Sequence, residues 1–425
     1  MAANAYDELK WRGMLFDSTE GVQEMLANEI VPVYNGFDVT ADSLHVGHIV
    51  PLIALARLQR FGHLPIAVAG GGTTMLGDPS GKTIERQLLP YSVIAENTEA
   101  IKIQLAQFLD FEVKTNPARM VNNADWLSKL NLIDFMRDIG KNFTINYMLS
   151  KESVRTRLER EDGLSFTEFT YMLLQSYDFL YLYYHFGCKL QTGWSDQCGN
   201  ITAGAELIRR MRGVSAQALV YPLITKADGT KFGKTESGAI WLDPKRTSPY
   251  RFYQFWMNTD DKDVIHYMKV FTFLNQEEVS GLAQAVAEKP EARQAQRTLA
   301  RLMTGTVHGQ TALERAEQAT QALFGSEITG LSAAEINDIF SDVPSCELQK
   351  TLLEGAGLSI TELLVTASVA KSKGEARRSI QEGGIYLNNI RVIEPGQVAS
   401  IQDVLEGHYI VLRKGRKNYT LVKVI

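Results

Sequence analysis

Three times in its first half the chain repeats one order of signals: a short apolar run, a loop rich in glycine or histidine, and a segment with helical spacing. EIVPVY (29–34) precedes VGHIVPLIALARLQRFG (46–62). LPIAVAG (64–70) leads into GGGTTMLGDPSGK (70–82) and then TEAIKIQLAQFL (98–109). CKLQTG (188–193) precedes ITAGAELIRRMRG (201–213). Strand, loop and helix in repetition predict an α/β fold, a Rossmann-like parallel sheet covered by helices, in which ligands bind beyond the carboxyl ends of the strands. The histidine pair at 45–48 and the glycine loop at 70–82 both fall at such ends.

Further along, glycines thin out and helical periodicity takes over from about Ser248 to Phe324, as in SGLAQAVAEKPEARQAQRTLARLMTGTVHG. A third unit starts near Leu358, with amphipathic SITELLVTASVA, basic KSKGEARRSIQEG and strand-like pieces ending in HYIVLRKGRKNYTLVKVI. These changes set expected boundaries: a catalytic domain at 1–247, a helical domain at 248–325, a linker at 326–356 and a small α+β domain at 357–425. At 45% hydrophobic and 22% charged over 425 residues the composition is that of a soluble globular protein. No apolar run is long enough to span a bilayer, and the acidic MAANAYDELKWRG start lacks the apolar core of a secretory signal. Cys188, Cys198 and Cys346 are too scattered for a disulfide framework or a zinc cluster, so reduced thiols in a cytoplasmic protein are expected. The net charge of −5 argues against bulk nonspecific nucleic-acid binding. Yet residues 358–425 carry ten Lys or Arg against six Asp or Glu, so positive charge is segregated there, as an RNA-contacting module requires.

His45-Val46-Gly47-His48 stands where a helix begins. A helix N-terminus offers unpaired N–H groups to phosphate, and Gly47 leaves room for a flat ring against the backbone. Alone, the motif is weak: a solvated His45 and a satisfied His48 explain it equally, and H-x-G-H also occurs in cytidylyltransferase-like enzymes. Lys231 and Lys234, in KFGKT, would alone be two solvated loop lysines. Tyr171, Gln175 and Asp178, at i, i+4 and i+7 of FTYMLLQSYDFL, share a helix face. Either a networked core triplet or a recognition surface satisfies the rule that buried polar groups are paired.

Together these blocks resemble tyrosyl-tRNA synthetase of the bacterial type. HVGH fits the HIGH element of class I aminoacyl-tRNA synthetases, and KFGKT their KMSKS loop. GFDVTADSLHVGH, GDPSGKTIER, FTYMLLQSYDFL and ITKADGTKFGKTESG follow in the family's order, and the resemblance runs from about residue 5 to the C-terminus. It implies that the tyrosine carboxylate attacks the α-phosphorus of ATP, giving tyrosyl-adenylate and pyrophosphate, and that the tyrosyl group then passes to the terminal adenosine of tyrosine tRNA. On the family's pattern Thr40 and His45 meet the γ-phosphate end in the transition state. Lys82, Arg86, Lys231, Lys234 and Thr235 reach the pyrophosphate, the last three from a glycine-punctuated loop able to close over ATP. Gly36, Asp38, Gly47, His48, Leu223 and Lys234 attend the nucleotide, with Asp196 on its ribose. Asp178 and Tyr34 bind the substrate phenol, while Tyr171, Gln175, Asp78 and Gln197 surround its ammonium group. Magnesium is expected with ATP and no protein-held metal.

The same resemblance assigns Arg209 and Arg210 to the tRNA acceptor stem. It assigns Lys371, Lys373, Arg377, Arg378, Arg413, Lys414, Arg416 and Lys417 to an RNA-binding domain of the ribosomal-protein S-four type. A solvated helix face is the alternative for such arginines. The family is a homodimer, and LSKLNLIDFMRDIGKNFTINYML is apolar enough to supply part of the interface. At one place the chain departs from the pattern. GWSDQCGN (193–200) stands where the family reads GGSDQWGN, so Trp194 replaces a glycine and Cys198 a tryptophan. Three consequences are open: Trp194 turned outward and harmless, altered nucleotide or inhibitor binding, or loss of activation. The last would leave an RNA-binding protein without catalysis.

Overall fold

The computed structural model describes residues 4–78, 89–159, 163–230, 232–235, 238–416 and 418–425, with Ser153, Lys234 and Thr235 described by backbone alone. They form two compact units, Met1–Arg246 with Met257–Val307, and Thr247–Trp256 with His308–Ile425.

The first unit is built on a six-stranded sheet: β1 (Asp17–Ser18), β2 (Pro32–Phe37), β3 (Leu64–Ala69), β4 (Arg119–Asn122), β5 (Leu190–Trp194) and β6 (Gln217–Tyr221). The order is β1-β6-β5-β2-β3-β4, parallel except for the short antiparallel edge strand β1. From β2 the chain winds outward through β3 and β4, then returns to lay β5 on the other side of β2. That reversal makes β2/β5 the switch point, where such sheets open a crevice beyond their carboxyl ends. β3 and β6 are buried almost throughout, as expected of parallel strands covered on both faces.

The strand expected to end at Tyr34 runs on to Phe37, because β3 pairs with it over its whole length, from Pro32↔Leu64 to Phe37↔Ala69. The glycine-rich segment is not all loop: Gly71–Thr74 forms a helical turn. A Cβ at Gly71 would press on the Asn122 side chain, so glycine lets this turn close against the end of β4 with Asn122 in place.

The helix after HVGH spans Ile49–Arg60 and is buried from Ile49 to Gln59. Pro51 is tolerated because it falls in the first turn, where its missing N–H has no helical partner to lose. Helix Phe166–Phe186 starts at a Ser165/Glu168 capping box and ends at Gly187 in the left-handed region, φ 64°. Glu168 is also held by Arg157 in a buried ion pair at 2.9 Å. The expected helical stretch contains Asp261–Phe271, Gln276–Glu288 and Gln294–Leu323, interrupted at Pro290 and kinked at Gly309.

In the second unit a five-stranded sheet runs in the order Ile390–Arg391, Ile385–Leu387, Tyr409–Lys414, Asn418–Val424, Ser345–Leu348. Helices Ile360–Thr366 and Lys373–Gln381 contribute Leu363, Leu364, Ala376 and Ile380 to its core. The stretch 326–356, expected as a linker, is instead built into this unit. Helix Ala333–Ile339 packs Ile336 and Ile339 against Phe340, Val411 and Leu421, and Ser345–Leu348 joins the sheet parallel to Asn418–Val424.

Candidate active site

A cavity of about 270 Å³ opens at the switch point. Among the expected site residues its lining includes Tyr34, Gly36, Asp38, His45, Gly47, His48, Asp78, Tyr171, Gln175, Asp178, Asp196, Gln197 and Leu223. Thr40 is exposed and does not line it. Lys82, Arg86 and Lys231 lie outside the described residues, as does Lys417 in the second unit. The backbone of Lys234–Thr235 pairs with Gly238–Ala239. Among the described residues the lining holds four aspartates and no lysine or arginine. This part of the site therefore suits cations and hydroxyl donors, and phosphates need charge from elsewhere.

At the amino-acid end, helix Phe166–Phe186 does present Tyr171, Gln175 and Asp178 on one face. Burial pushes the Asp178 carboxyl up to about 7, although hydrogen bonds from Asn123 and Trp126 pull it back. Asn123 Nδ2 donates to one oxygen at 2.9 Å and Trp126 Nε1 to the other at 2.7 Å. Tyr34 Oη is buried with no hydrogen-bond partner among the described residues. Burial, then the Asp178 charge, holds its phenol well above the usual range. Gln175 Oε1 is likewise buried without a partner. Tyr171 is buried, hydrogen-bonded to Thr73 and within the fields of Asp78, Asp38 and Asp178, so its hydroxyl stays protonated as a donor. Gln197 Nε2 donates to Asp78 Oδ2 at 2.7 Å.

At the histidine turn, Gly47 N donates to His45 Nδ1 and His45 N to His48 Nδ1, both at 3.1 Å. Each Nδ1 accepts, so in the neutral rings the proton sits on Nε2, the nitrogen turned from the backbone. A Cβ on Gly47 would lie 2.8 Å from the His45 ring. Glycine there leaves room for the imidazole to fold back, so His45 shares the space beside Gly47.

Trp194 is half-buried and lines the cavity. Its backbone is extended, φ −71° and ψ 159°, so the position does not demand glycine. Cys198 packs against Ile201, Ala218 and Val220, and burial raises its thiol pKa. Both Asn123 and Gln191 line the pocket without having been read from the sequence. Asn123 had one available signal, its place just past a strand end, whereas Gln191 lies inside a strand that reads as core.

A parallel sheet with a pocket at its switch point and paired histidines at a helix start suits a nucleotide-binding enzyme, the class I synthetases among them. The profile of the family "tRNA synthetases class I (W and Y)" matches residues 26–325, and that of the "Tyrosine--tRNA ligase SYY-like C-terminal domain" matches 335–422. A tyrosine–tRNA ligase of Roseiflexus castenholzii is 58% identical over 419 residues, covering 99% of each chain. One of Geobacillus stearothermophilus is 51% identical over 419 residues, covering 98% of each. The crystal structure of a C-terminally truncated mitochondrial tyrosyl-tRNA synthetase of Aspergillus nidulans superposes with TM-score 0.70 at 30% identity, covering 76% of this chain and 95% of that one. The chain belongs to the tyrosine–tRNA ligases.

Proposed function

We propose that the cavity activates L-tyrosine with ATP and that the tyrosyl group then passes to the 3′-terminal adenosine of tyrosine tRNA. One observation carries this. Among the described residues the Tyr34 hydroxyl is buried without a partner, and it lines the cavity with the Asp178 carboxylate, a donor and an acceptor that a substrate phenol satisfies together. Such a site rejects the analogue lacking the hydroxyl by roughly 10⁴–10⁵, a general property for which tyrosyl synthetases are themselves the type example.

Tyr171, Gln175 and Asp78, with Gln197 holding Asp78, receive the α-ammonium group. The carboxylate is then free to attack the α-phosphorus in line, forming an acyl–O–P bond as the bond to pyrophosphate breaks. Gly36, Asp38, Gly47, His48, Asp196 and Leu223 hold the nucleotide. Thr40, His45, Lys82, Arg86, Lys231, Lys234 and Thr235 meet the leaving pyrophosphate. No protein nucleophile is required; catalysis is positioning plus neutralisation of charge developing on the phosphates. ATP enters as its magnesium complex. Magnesium binds mainly through phosphates and water, so it comes with the nucleotide. In the second step a ribose hydroxyl attacks the tyrosyl carbonyl and AMP leaves.

For tRNA, Arg209 and Arg210 are exposed on helix Cys198–Arg212, both paired with Glu206. Lys371, Lys373, Arg377, Arg378 and Arg416 are exposed in the second unit, with Lys414 half-buried. Arg413 does not belong with them: it is 8% exposed, and its guanidinium stacks 3.7 Å over the Tyr386 ring. Leu132, Ile133, Met136, Ile145 and Leu149 are exposed apolar side chains in the segment expected to join two copies, which supports a homodimer. We place the enzyme in the cytoplasm; among the described residues no helix is long and apolar enough to cross a membrane.

The test is ATP–pyrophosphate exchange with tyrosine, with phenylalanine and without amino acid. Exchange with tyrosine alone is expected. No exchange from folded protein that still binds tRNA would make the chain an RNA-binding relative, with Trp194 the first residue to revert.

A further inference from the structure

The two signature segments are tied into one hydrogen-bonded piece. Val46 N donates to Ile240 O at 2.9 Å, Leu242 N to Leu44 O at 2.8 Å, and Ile240 N to Gly233 O at 3.4 Å. The chain leaving KFGKT thus lies antiparallel to the chain entering HVGH, with His45 opposite Trp241. At Gly233, φ +78°, an added Cβ would sit 2.7 Å from Val46 Cγ2.

Trp241 bridges the side chains as well. Its indole stands edge-on to the His45 imidazole, with centroids 6.0 Å apart and planes at 68°. The His48 ring also lies 4.0 Å from the imidazole, tilted by 33°. The Arg246 guanidinium lies 4.7 Å from the indole centroid, and its Nε meets Asp42 Oδ1 at 2.5 Å. Asp42 shortly precedes His45 in the chain, so His45, Trp241, Arg246 and Asp42 form a closed circuit.

We propose that Trp241, backed by Arg246 and Asp42, is a positioning residue that fixes the orientation of the His45 imidazole. The hydrogen bond from Gly47 N sets which nitrogen of His45 carries the proton. That bond and the His48 ring restrain the imidazole in part, since the χ2 torsion itself has broad minima. The indole edge adds a further restraint, and a ring so held offers Nε2–H to the phosphate end of ATP. A donor held there before the reaction stabilises charge as it develops, whereas a turning ring must be ordered during the step. This inference rests on the role given to His45 under the proposed function.

The experiment is a double-mutant cycle on the full-length enzyme, read by pyrophosphate exchange: Trp241→Ala, Trp241→Phe and His45→Asn, with Trp241→Ala also made in the His45→Asn background. Loss of the edge contact is expected to lower kcat about three- to tenfold, with the KM for tyrosine unchanged. Trp241→Phe, which keeps an aromatic edge, should restore most of the loss. In the His45→Asn background Trp241→Ala should add almost nothing. Arg246→Gln, which loosens the clamp from its solvent side, should give a smaller loss of the same kind if Trp241→Ala folds poorly. An equal fold-loss in both backgrounds, no loss in either, or a rise in the KM for tyrosine with kcat unchanged would each overturn the proposal. Full exchange by His45→Asn alone would instead overturn the role of His45, and the clamp with it.

Discussion

The proposed amino-acid pocket turns on one side chain, Asp178. Its folded pKa of about 7 lies above the unfolded value of about 3.9, because burial outweighs two donated hydrogen bonds. The acid therefore supports the folded state fully below about pH 4, and that support is lost as pH rises through about 7. Asp178→Asn is expected to flatten this part of the stability–pH curve in the ligand-free protein, measured by thermal unfolding at a series of pH values. On the proposed function substrate binding runs the other way: an ionised carboxylate would accept from the phenol, so tyrosine affinity should strengthen as pH rises through about 7. Fluorescence titration against pH measures this, and a flat profile in the parent enzyme would refute the assignment. Trp194 makes the second prediction at this scale. It lines the cavity beside Asp196, so Trp194→Gly should raise the KM for ATP about two- to tenfold, the worth of one lost aromatic contact, and leave the KM for tyrosine alone. An unchanged KM for ATP in steady-state exchange would mean that the indole never meets the nucleotide.

Among the elements, helix Asp261–Phe271 shows most plainly what the sequence withheld. Its C-terminal carbonyls are taken by two buried arginines from far along the chain. Arg57 donates to Lys269 O and Val270 O at 3.1 and 2.8 Å, and Arg12 to Lys269 O and Thr272 O at 2.8 and 2.9 Å. Burial, then the charge of Arg12, lowers the Arg57 pKa, yet helix-end carbonyls offset its charge where a carboxylate would be usual. Arg57→Met keeps the length and removes the donors. It should destabilise by about 2–4 kcal/mol in urea unfolding, because the carbonyls are left buried and unpaired. Nothing local announces this, since LIALARLQR reads as an ordinary amphipathic end with arginines in water. The Tyr171/Gln175/Asp178 face was legible because all three lie on one helix, where a 3.6-residue period fixes their common direction. Their partners were not: Asn123 and Trp126 reach Asp178 across sequence separations of 55 and 52 residues, set only by the sheet. Residues 326–356 were misread as linker for the same reason, since the parallel pairing of Ser345–Leu348 becomes visible only when Asn418–Val424 is in place.

At the scale of the whole molecule the chain divides its charge between two tasks. The pocket is lined with aspartates, while helix Lys373–Gln381 and nearby loops of the second unit carry exposed cations. The excess of base in this segment was readable from composition; which cations face water was not. Arg413 is consumed by Tyr386, Lys373 is paired with Glu362 at 2.5 Å, and Lys414 with Glu375 at 2.8 Å, whereas Arg377 and Arg378 are exposed on the helix. Phosphate contacts release counterions, so each lost contact lowers the steepness with which affinity falls with salt by about one unit. Arg377→Ala with Arg378→Ala should thus weaken tyrosine-tRNA binding and flatten its log–log salt dependence by about two units. Tyrosine-dependent pyrophosphate exchange should be untouched, because the first step uses no tRNA. Arg413→Ala should behave oppositely, lowering the unfolding midpoint of the second unit through loss of a buried stacked cation, with a salt slope like the parent's once the protein is folded. Filter binding across a salt series, run beside exchange assays on the same preparations, separates the two. A salt slope unaltered by the double arginine change would move the tRNA surface off this helix.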